Sequence, residues 1–554
     1  MIVSSSARVL ACKSNSLYAQ FHMLYICTSY LKEELPPMSE PQHRSAPQTG
    51  DEFLQSLRDG REVWIHGERV DDVTTHPAFR NASRSLAALF DALHDPKTAP
   101  ILTAPTDTGS GGVTHPFFKA ARSRDDLRAA RGAIEAWQRM GFGWMGRSPD
   151  YKASLLTSLG ADPEFFGQFA DNARRWYTLT QEQVTHLGHA VVHPPVDRDK
   201  AADQVRDVFL HVEREVDGGV ILSGAKVVAT GAPTTQYVYV SHSGTPITDD
   251  AFALTFFAPL DTPGVKLFAR SSYEENAART STPFDSPLSS RLDENDAILI
   301  FDNAFIPWEN FIAYGVEGMN KFEMNSGWPS RAIFQAATRM GVKLEFLAGA
   351  LSLALDITGA GKRHGARAGL GEIISMRSAV NAMRDGMIEN AHPAWGGTLD
   401  PDFNYGAAYA TLAPGFFSRA RQIIHTCVSS GLIYLNSSAL DFENPEMRRL
   451  LDRFLRGSNG NTALDRSRTM KLLWDAVGSE FASRHELYEL NYFGQPEFLR
   501  LGALDFAEQD GSLEIARDLA RSAMDEHDLS GWTRSDMIGN EDIGPRSRRS
   551  VMRY

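Results

Sequence analysis

An arginine, a phenol and an imidazole stand in two short stretches of this 554-residue chain. Gly143-Trp144-Met145-Gly146-Arg147-Ser148-Pro149-Asp150-Tyr151-Lys152 supplies the first two, and His189-Ala190-Val191-Val192-His193-Pro194-Pro195 the third. Ser148 reads as a helix N-cap, with Pro149 at the first helical position and Asp150 in the first turn. Arg147 then precedes the helix and Tyr151 follows within a turn, so both flank a helix N-terminus, which favours an anion. A cation, an O–H donor and a ring that titrates near neutrality suit the binding and activation of a phenolate. Taken one at a time, each also fits a structural role: a surface ion pair, a packed tyrosine, a satisfied histidine.

The elements that must position these groups follow from periodicity. Residues 38–50 read as a flexible leader. Asp51 is placed to cap a short helix through Phe53–Leu57, ended by Gly60. Val63–His66 alternates like a strand and Gly67-Glu68 like a turn. Helical patterns at 83–94, 124–140, 149–159 and 163–187 make the first 190 residues mainly helical. From Val205 to about Tyr314 short β-type runs dominate, at 208–212, 219–223, 237–240, 253–257 and 297–301. Turn signals at Asp217-Gly218 and Thr262-Pro263-Gly264 separate them, a sheet or barrel pattern. Helical periodicity returns near 330–360, 369–391, 404–433, 464–491 and 512–528, as in a helix bundle. The expected division is an extension and leader over 1–48, a helical domain over 49–190, a β domain over 191–316, a helix bundle over 317–532 and a tail over 533–554.

Composition narrows the class. Hydrophobic residues make up 42% and charged residues 23%, ordinary values for a globular enzyme. A net charge of −13 without a long basic run argues against a nucleic-acid binder. No segment approaches the roughly 20 apolar residues of a membrane span. Residues 1–37 lack the pattern of a signal peptide. They read as a disordered tail, or as sequence ahead of a natural start at Met38. The three cysteines, Cys12, Cys27 and Cys427, build neither a disulfide framework nor a thiolate metal site, and fit a reducing cytoplasm. Cys427 reads as a small core residue.

Two negatives bear on the chemistry. Gly109-Ser110-Gly111-Gly112 and Gly359-Ala360-Gly361-Lys362-Arg363 both miss the spacing of a phosphate-binding glycine loop, so no site for a nicotinamide dinucleotide is supported. His186, His189 and His193 have metal-like spacing, but Pro194-Pro195 breaks the helix that would align them and no nearby carboxylate completes a ligand set. No metal is expected.

The two opening stretches belong to a longer series of motifs. It includes Asp59-Gly60-Arg61-Glu62-Val63-Trp64, Val73-Thr74-Thr75-His76-Pro77, Thr106-Asp107-Thr108-Gly109, Ser223-Gly224-Ala225-Lys226-Val227-Val228-Ala229-Thr230, Pro287-Leu288-Ser289-Ser290-Arg291-Leu292-Asp293-Glu294-Asn295-Asp296, Arg456-Gly457-Ser458-Asn459-Gly460 and Gly478-Ser479-Glu480-Phe481-Ala482-Ser483-Arg484. In this order, from about Thr49 to Trp532, the chain resembles the oxygenase component of the 4-hydroxyphenylacetate 3-monooxygenase family, two-component phenol hydroxylases that use reduced flavin.

The resemblance implies a mainly α, acyl-CoA dehydrogenase-like fold: a helical N-terminal domain, a β-barrel middle domain and a C-terminal four-helix bundle. It implies FAD, arriving as FADH2 from a separate NAD(P)H-flavin reductase, with O2 as co-substrate, and ortho-hydroxylation of a para-substituted phenol to a catechol through a C4a-hydroperoxyflavin, as in aromatic hydrocarbon catabolism. Arg147, Tyr151 and His189 fall on the family's catalytic and substrate-binding positions. Ser241 and His242 open a polar stretch, continuing through Ser243, Gly244, Thr245 and Pro246, that is placed to cover the substrate. For the flavin the candidates are His189, Val191, Pro195, Val196, Asp197, Arg198, Thr230, Ser479, Ser483 and Arg484, the last suited to a pyrophosphate. Arg456–Gly460 also fits a plain tight turn. A homotetramer is implied, and no membrane or nucleic-acid partner.

Other readings remain open at this level. The same motifs serve a halophenol, tyrosine or natural-product phenol. An acyl-CoA dehydrogenase shares the architecture but needs a catalytic carboxylate. A flavin and iron–sulfur dehydratase needs several cysteine ligands, which this chain lacks. A catalytically silent scaffold is disfavoured by the retention of Arg147, Tyr151 and His189.

Overall fold

Capping chemistry fixes where the first helices begin. Thr49 forms a capping box with Glu52 and starts α1 (Gly50–Ser56), so Thr49 and not Asp51 is the cap. A hairpin of β1 (Glu62–Ile65) and β2 (Glu68–Val70) precedes α2 (Arg80–Asp91). Ser123 and Asp126 form a second capping box at α3 (Arg124–Met140), which has the predicted span. Then comes α4 (Pro149–Ala161), buried along nearly its whole surface. The single helix predicted over 163–187 is interrupted. Residues 163–169 form a 3-10 turn with Gly167 at φ +56°, and α5 (Ala170–Gln183) ends at Val184 in the left-handed region. The chain then extends into β3 (Leu187–Ala190).

The computed structural model describes residues 43–242, 247–529 and 531–533. Only His43 is described in the unit formed by the first 43 residues, and the unit that starts at Arg44 holds every element named here. The expectations for residues 1–37 with Cys12 and Cys27, for Ser243–Pro246, and for the tail beyond residue 533 lie outside the described residues.

The β region is two sheets. Six strands run in the order β2-β1-β8-β9-β5-β4 and four in the order β10-β7-β6-β3, where β4 is His211–Val216, β5 Gly219–Thr230, β6 Tyr237–Val240, β7 Leu254–Pro259, β8 Val265–Ala269, β9 Asp296–Pro307 and β10 Phe311–Tyr314. The expected barrel is thus an open arrangement, because neither ladder closes on itself. Phe256 and Phe301 meet across the sheets with ring centres 5.9 Å apart. Two pairings are parallel, β1 with β8 and β3 with β6. Both bring N-terminal strands into the β region, which periodicity within one segment cannot reveal. Strands β8 and β10 were not foreseen; each is only five or four residues long.

Between β8 and β9 lies α6 (Tyr273–Thr280), and α7 (Gly315–Asn325) follows β10. The helical region is built on α8 (Trp328–Ile357), which packs against α3 and α4 as well as against α9 (His364–Glu389). The predicted helix over 404–433 is two, α10 (Phe403–Leu412) and α11 (Pro414–Val428), because Pro414 cannot continue the preceding hydrogen bonds. After α12 (Pro445–Phe454), the span 464–491 is likewise divided by Ser479, which caps a new helix, into α13 (Ala463–Val477) and α14 (Glu480–Leu490). Two further helices close the described chain, α15 (Pro496–Gln509) and α16 (Ser512–Asp525). The order of a helical part, a β part and a helix bundle is that of the acyl-CoA dehydrogenase-like architecture expected.

One face of α8 is polar although buried. Arg331, Gln335, Arg339 and Lys343 recur every fourth residue, so they share a stripe. Arg331 pairs with Asp400, Gln335 donates to Asp150 Oδ2 at 3.1 Å, and Arg339 and Lys343 converge on Glu489. The stripe ties α4 and α14 to the central helix. Cys427 is half-buried on α11, not a core residue. Asn459 (φ +56°) and Gly460 (φ +82°) form the tight turn that Arg456–Gly460 suggested.

Candidate active site

The loop before α4 is shaped by close approach. Gly143, at φ +77°, lies so near Lys343 that a Cβ would meet its backbone nitrogen at 2.7 Å, and a Cβ on Gly146 would overlap the Tyr488 hydroxyl. The loop is therefore pressed onto α8 and α14. Ser148 holds the N-cap position of α4 but makes no capping bond. Its hydroxyl donates instead to Asp150 Oδ1 and accepts from Gln138 Nε2 at 2.7 Å. Burial pushes the Asp150 carboxyl up, while bonds from Ser148, Gln335 and Gln138 oppose that shift.

Arg147 is clamped through its backbone. Its N–H donates to Glu294 Oε1 at 2.5 Å and its carbonyl accepts from His186 Nε2 at 2.9 Å. The guanidinium carbon lies 4.0 Å from the ring centre of Tyr151, 4.4 Å from that of Tyr492 and 5.1 Å from that of Tyr488. Burial favours its neutral form, but the three phenol groups and Glu294 outweigh this and hold Arg147 charged. Nε and Nη1 are buried and make no hydrogen bond among the described residues. A buried cation with two unused donors is costly unless a ligand takes them.

His189 sits on β3, in register with Tyr239 of β6. Its ring centre is 5.7 Å from that of Tyr151. Burial, and then the charges of Lys152 and Arg147, push its imidazole well below the usual range, so His189 is neutral at pH 7. Its Nδ1 has no hydrogen-bond partner among the described residues. The three closely spaced histidines diverge. His186 anchors Arg147, His189 faces the cavity, and His193 Nε2 lies 3.2 Å from Lys226 Nζ. Among the described residues no group of three or more His, Cys, Asp or Glu side chains can hold a metal ion.

Arg147, Tyr151 and His189 open onto one cavity of about 1070 Å³. Val191, Val192, Val228 and Thr230 form one wall, and Trp328, Tyr488, Tyr492 and Phe493 contribute others. Val228 is held at φ +59° where the register between β5 and β9 shifts, and its side chain is 55% exposed, on the cavity. A bulge that re-aims a side chain has this geometry. Thr230 Oγ1 donates to Asp296 Oδ1 at 2.6 Å, and Asp296 also receives Arg484 Nη2 at 2.6 Å and Nε at 2.9 Å. Burial would raise the Asp296 carboxyl, but Arg484 and Arg270 hold it well below the usual range.

These residues fit a flavin. The valine wall is apolar, and the unused donors of Arg147 and the unpartnered Nδ1 of His189 border the same space. Of the flavin candidates, His189, Val191, Thr230 and Arg484 line the cavity; Pro195, Val196, Asp197, Arg198, Ser479 and Ser483 do not. Asp197 pairs with Lys200 at 2.7 Å, Ser479 caps α14, and Ser483 receives a bond from Arg421. Arg484 is paired within this chain, with Asp296. His242 lines the cavity, whereas Ser241 lies behind it, 3.1 Å from Thr255 Oγ1 and 3.2 Å from Glu323 Oε1.

Sequence reasoning missed several of the groups gathered here. Asp296 and Glu294 stood inside a quoted motif without being singled out. Tyr488 and Tyr492 repeat at a spacing of four on the helical pattern after Gly478, which by itself points to no site. Lys152 follows Tyr151 directly, and its buried ammonium has no mark in the sequence. Glu323 carries no local signal at all.

Comparison with known proteins agrees with this geometry. Residues 49–312 match the family profile described as 4-hydroxyphenylacetate 3-hydroxylase N terminal, and residues 319–521 the one described as 4-hydroxyphenylacetate 3-hydroxylase C terminal. The chain is 52% identical to the oxygenase component of 4-nitrophenol 2-monooxygenase from Rhodococcus sp, over 90% of this chain and 96% of that one. It is 46% identical to the 4-hydroxyphenylacetate 3-monooxygenase oxygenase component of Escherichia coli, again over 90% and 96%. The crystal structure of a 4-hydroxyphenylacetate 3-monooxygenase oxygenase component with FAD and 4-hydroxyphenylacetate superposes with a TM-score of 0.81 at 30% identity, covering 86% of this chain and 99% of that one. The chain therefore belongs to the 4-hydroxyphenylacetate 3-hydroxylase family of FAD-dependent aromatic monooxygenases.

Proposed function

We propose that this chain is an oxygenase component that hydroxylates a para-substituted phenol ortho to its hydroxyl, giving a catechol. The observation that carries the reading is the Arg147 guanidinium, charged, stacked on tyrosines and left with two buried unused donors beside His189. A relative named for 4-nitrophenol and a solved relative holding 4-hydroxyphenylacetate support a para-substituted phenol. The words "oxygenase component" in those names support a separate reductase as the source of reduced flavin.

Arg147 and Tyr151 hold the phenol oxygen and favour its phenolate, which enriches the ortho carbon in electrons. His189, neutral and with a free nitrogen, accepts the phenol proton or a hydrogen bond from it. Oriented donors of this kind are each worth about 2.7–4 kcal/mol to a transition state that carries negative charge. Bound reduced flavin would supply the two electrons that activate O2, and O2 would supply the transferred oxygen atom, its second atom leaving as water. The valines and tyrosines give the reacting centre a largely apolar surround. Thr230, through Asp296, holds Arg484 at the flavin side of the cavity.

We further propose a homotetramer in the cytoplasm. Helices α15 and α16 bury no residue in this chain and leave Phe498, Leu501, Ile515 and Leu519 exposed, the character of a subunit interface. The sparse cysteines suit a reducing compartment. No helix among the described residues is long and apolar enough to cross a membrane.

The test is reconstitution of the full chain with chemically reduced FAD, O2 and either 4-nitrophenol or 4-hydroxyphenylacetate. A catechol formed in step with flavin oxidation supports the proposal. Hydrogen peroxide alone, with every para-substituted phenol tried, overturns it.

A further inference from the structure

Glu323 is a carboxylate on the wall of the cavity that the mechanism does not use. It projects from α7 and lines the space together with Trp328 and His242. Its Oε1 accepts from Ser241 Oγ at 3.2 Å, and no arginine or lysine forms an ion pair with it among the described residues. The basic group acting on it is Lys152, whose own amine is held well below the usual range by burial and then by the Arg147 charge. That amine is fully buried and makes no hydrogen bond among the described residues. It is held between the rings of Tyr151, Tyr239 and Trp328, at 4.9, 5.0 and 4.9 Å from their centres. Tyr151 and Trp328 thus flank one amine, and both line the cavity. Arg147, Tyr151, His189 and Glu323 line the same cavity, so a phenol held by the first three shares that space with the carboxylate.

A carboxylate beside a largely apolar space disfavours a second anion and favours a cation. Trp328 adds a ring face that suits an ammonium. We propose that Glu323 sets the charge preference of this pocket, docking the ammonium of a phenol whose para substituent carries an amine and disfavouring one whose para substituent ends in a carboxylate. The inference rests on the placement of the phenol oxygen at Arg147, Tyr151 and His189. Burial pushes the Glu323 carboxyl up to about 7, against the Ser241 bond and the Lys152 charge. A bound ammonium supplies the missing counter-charge.

The experiment is calorimetric binding to the full chain with FAD, using tyramine, 4-ethylphenol and 4-hydroxyphenylacetate as cationic, neutral and anionic probes of similar size. The wild-type protein binds tyramine more tightly than 4-hydroxyphenylacetate. Glu323→Gln weakens tyramine at least tenfold, leaves 4-ethylphenol within twofold and tightens 4-hydroxyphenylacetate; Glu323→Asp keeps the tyramine preference. An unchanged ratio of tyramine to 4-hydroxyphenylacetate affinity in Glu323→Gln overturns the inference, as does an equal loss for all three probes. If the affinities follow the expected pattern but no catechol forms from any probe, the selectivity stands and the hydroxylase reading fails. If none of the three binds, both fail.

Discussion

The guanidinium carbon of Arg147 lies 4.0 Å from the centre of the Tyr151 ring, so the cation and the phenol that face the cavity are one stacked unit. Tyr492 and Tyr488 extend the stack, and Arg339 approaches the same two rings from the core side, at 4.9 and 5.8 Å. The orientation of Arg147 therefore depends on α14 as well as on its own loop.

Arg147→Lys keeps a charge but loses the planar group that stacks on three rings. The expected result is a fall in kcat/KM for the phenol of about 100-fold, the scale of losing one oriented donor. Peroxide released per flavin oxidised rises in parallel. Catechol and peroxide yields measured together check this, and unchanged coupling would show that the stack plays no part in the reaction.

Glu489 is the anion that compensates Arg339 and Lys343, and all three side chains are at most 1% exposed. Glu489→Gln leaves two buried cations without a full counter-charge. A loss of about 3–5 kcal/mol is expected from breaking a buried pair of this kind. Denaturant unfolding of the variant beside the wild type reads it; a loss under 1 kcal/mol would contradict the role given to this network.

The same carboxylate makes stability depend on pH. Burial alone would raise it, but Arg339 and Lys343 hold it at about 2, against 4.5 for an unperturbed glutamate. Between these values the unfolded chain binds more protons than the folded one, so stability rises with pH there. The contribution is complete above about pH 4.5 and is lost as the pH falls toward 2. Unfolding midpoints across this window should fall more steeply for the wild type than for Glu489→Gln.

Val228 carries a conformational cost at the cavity. The left-handed conformation costs an ordinary residue about 1–2 kcal/mol, against about 0.5–1 kcal/mol for the extra freedom of a glycine. Val228→Gly is thus expected to match or slightly exceed the wild type in stability while lowering catechol yield, because the cavity wall loses its apolar side chain. A stability loss above about 1 kcal/mol would contradict the assignment of strain here.

Local pattern carried much of this fold. Helix α3 begins and ends where predicted because its capping box and its terminal glycine are local signals. The error at 163–187 is local at Gly167 and Val184 and non-local at its end, where residues 187–190 are extended on the parallel ladder that β6 offers. The stripe on α8 was invisible for a related reason. Nothing local marks Arg331, Arg339 and Lys343 as buried, because their partners Asp400 and Glu489 lie 69 and 150 positions away from Arg331 and Arg339. In the candidate site, Arg147, Tyr151 and His189 could be named because their motif is continuous. Asp296, Tyr488 and Tyr492 come together only in the folded chain. Pro195 to Arg198 were implied by the family resemblance alone, and they are not among the residues that line the cavity.

The central claim is that Arg147, Tyr151 and His189 hold the substrate as a phenolate. Its most direct test uses 4-nitrophenol, whose anion absorbs visible light and whose neutral form does not. Bound to the protein at a pH where the free compound is mostly neutral, it should show the spectrum of the anion, and Arg147→Ala should abolish that spectrum at saturating ligand. A bound ligand that keeps the spectrum of the neutral phenol would contradict the account.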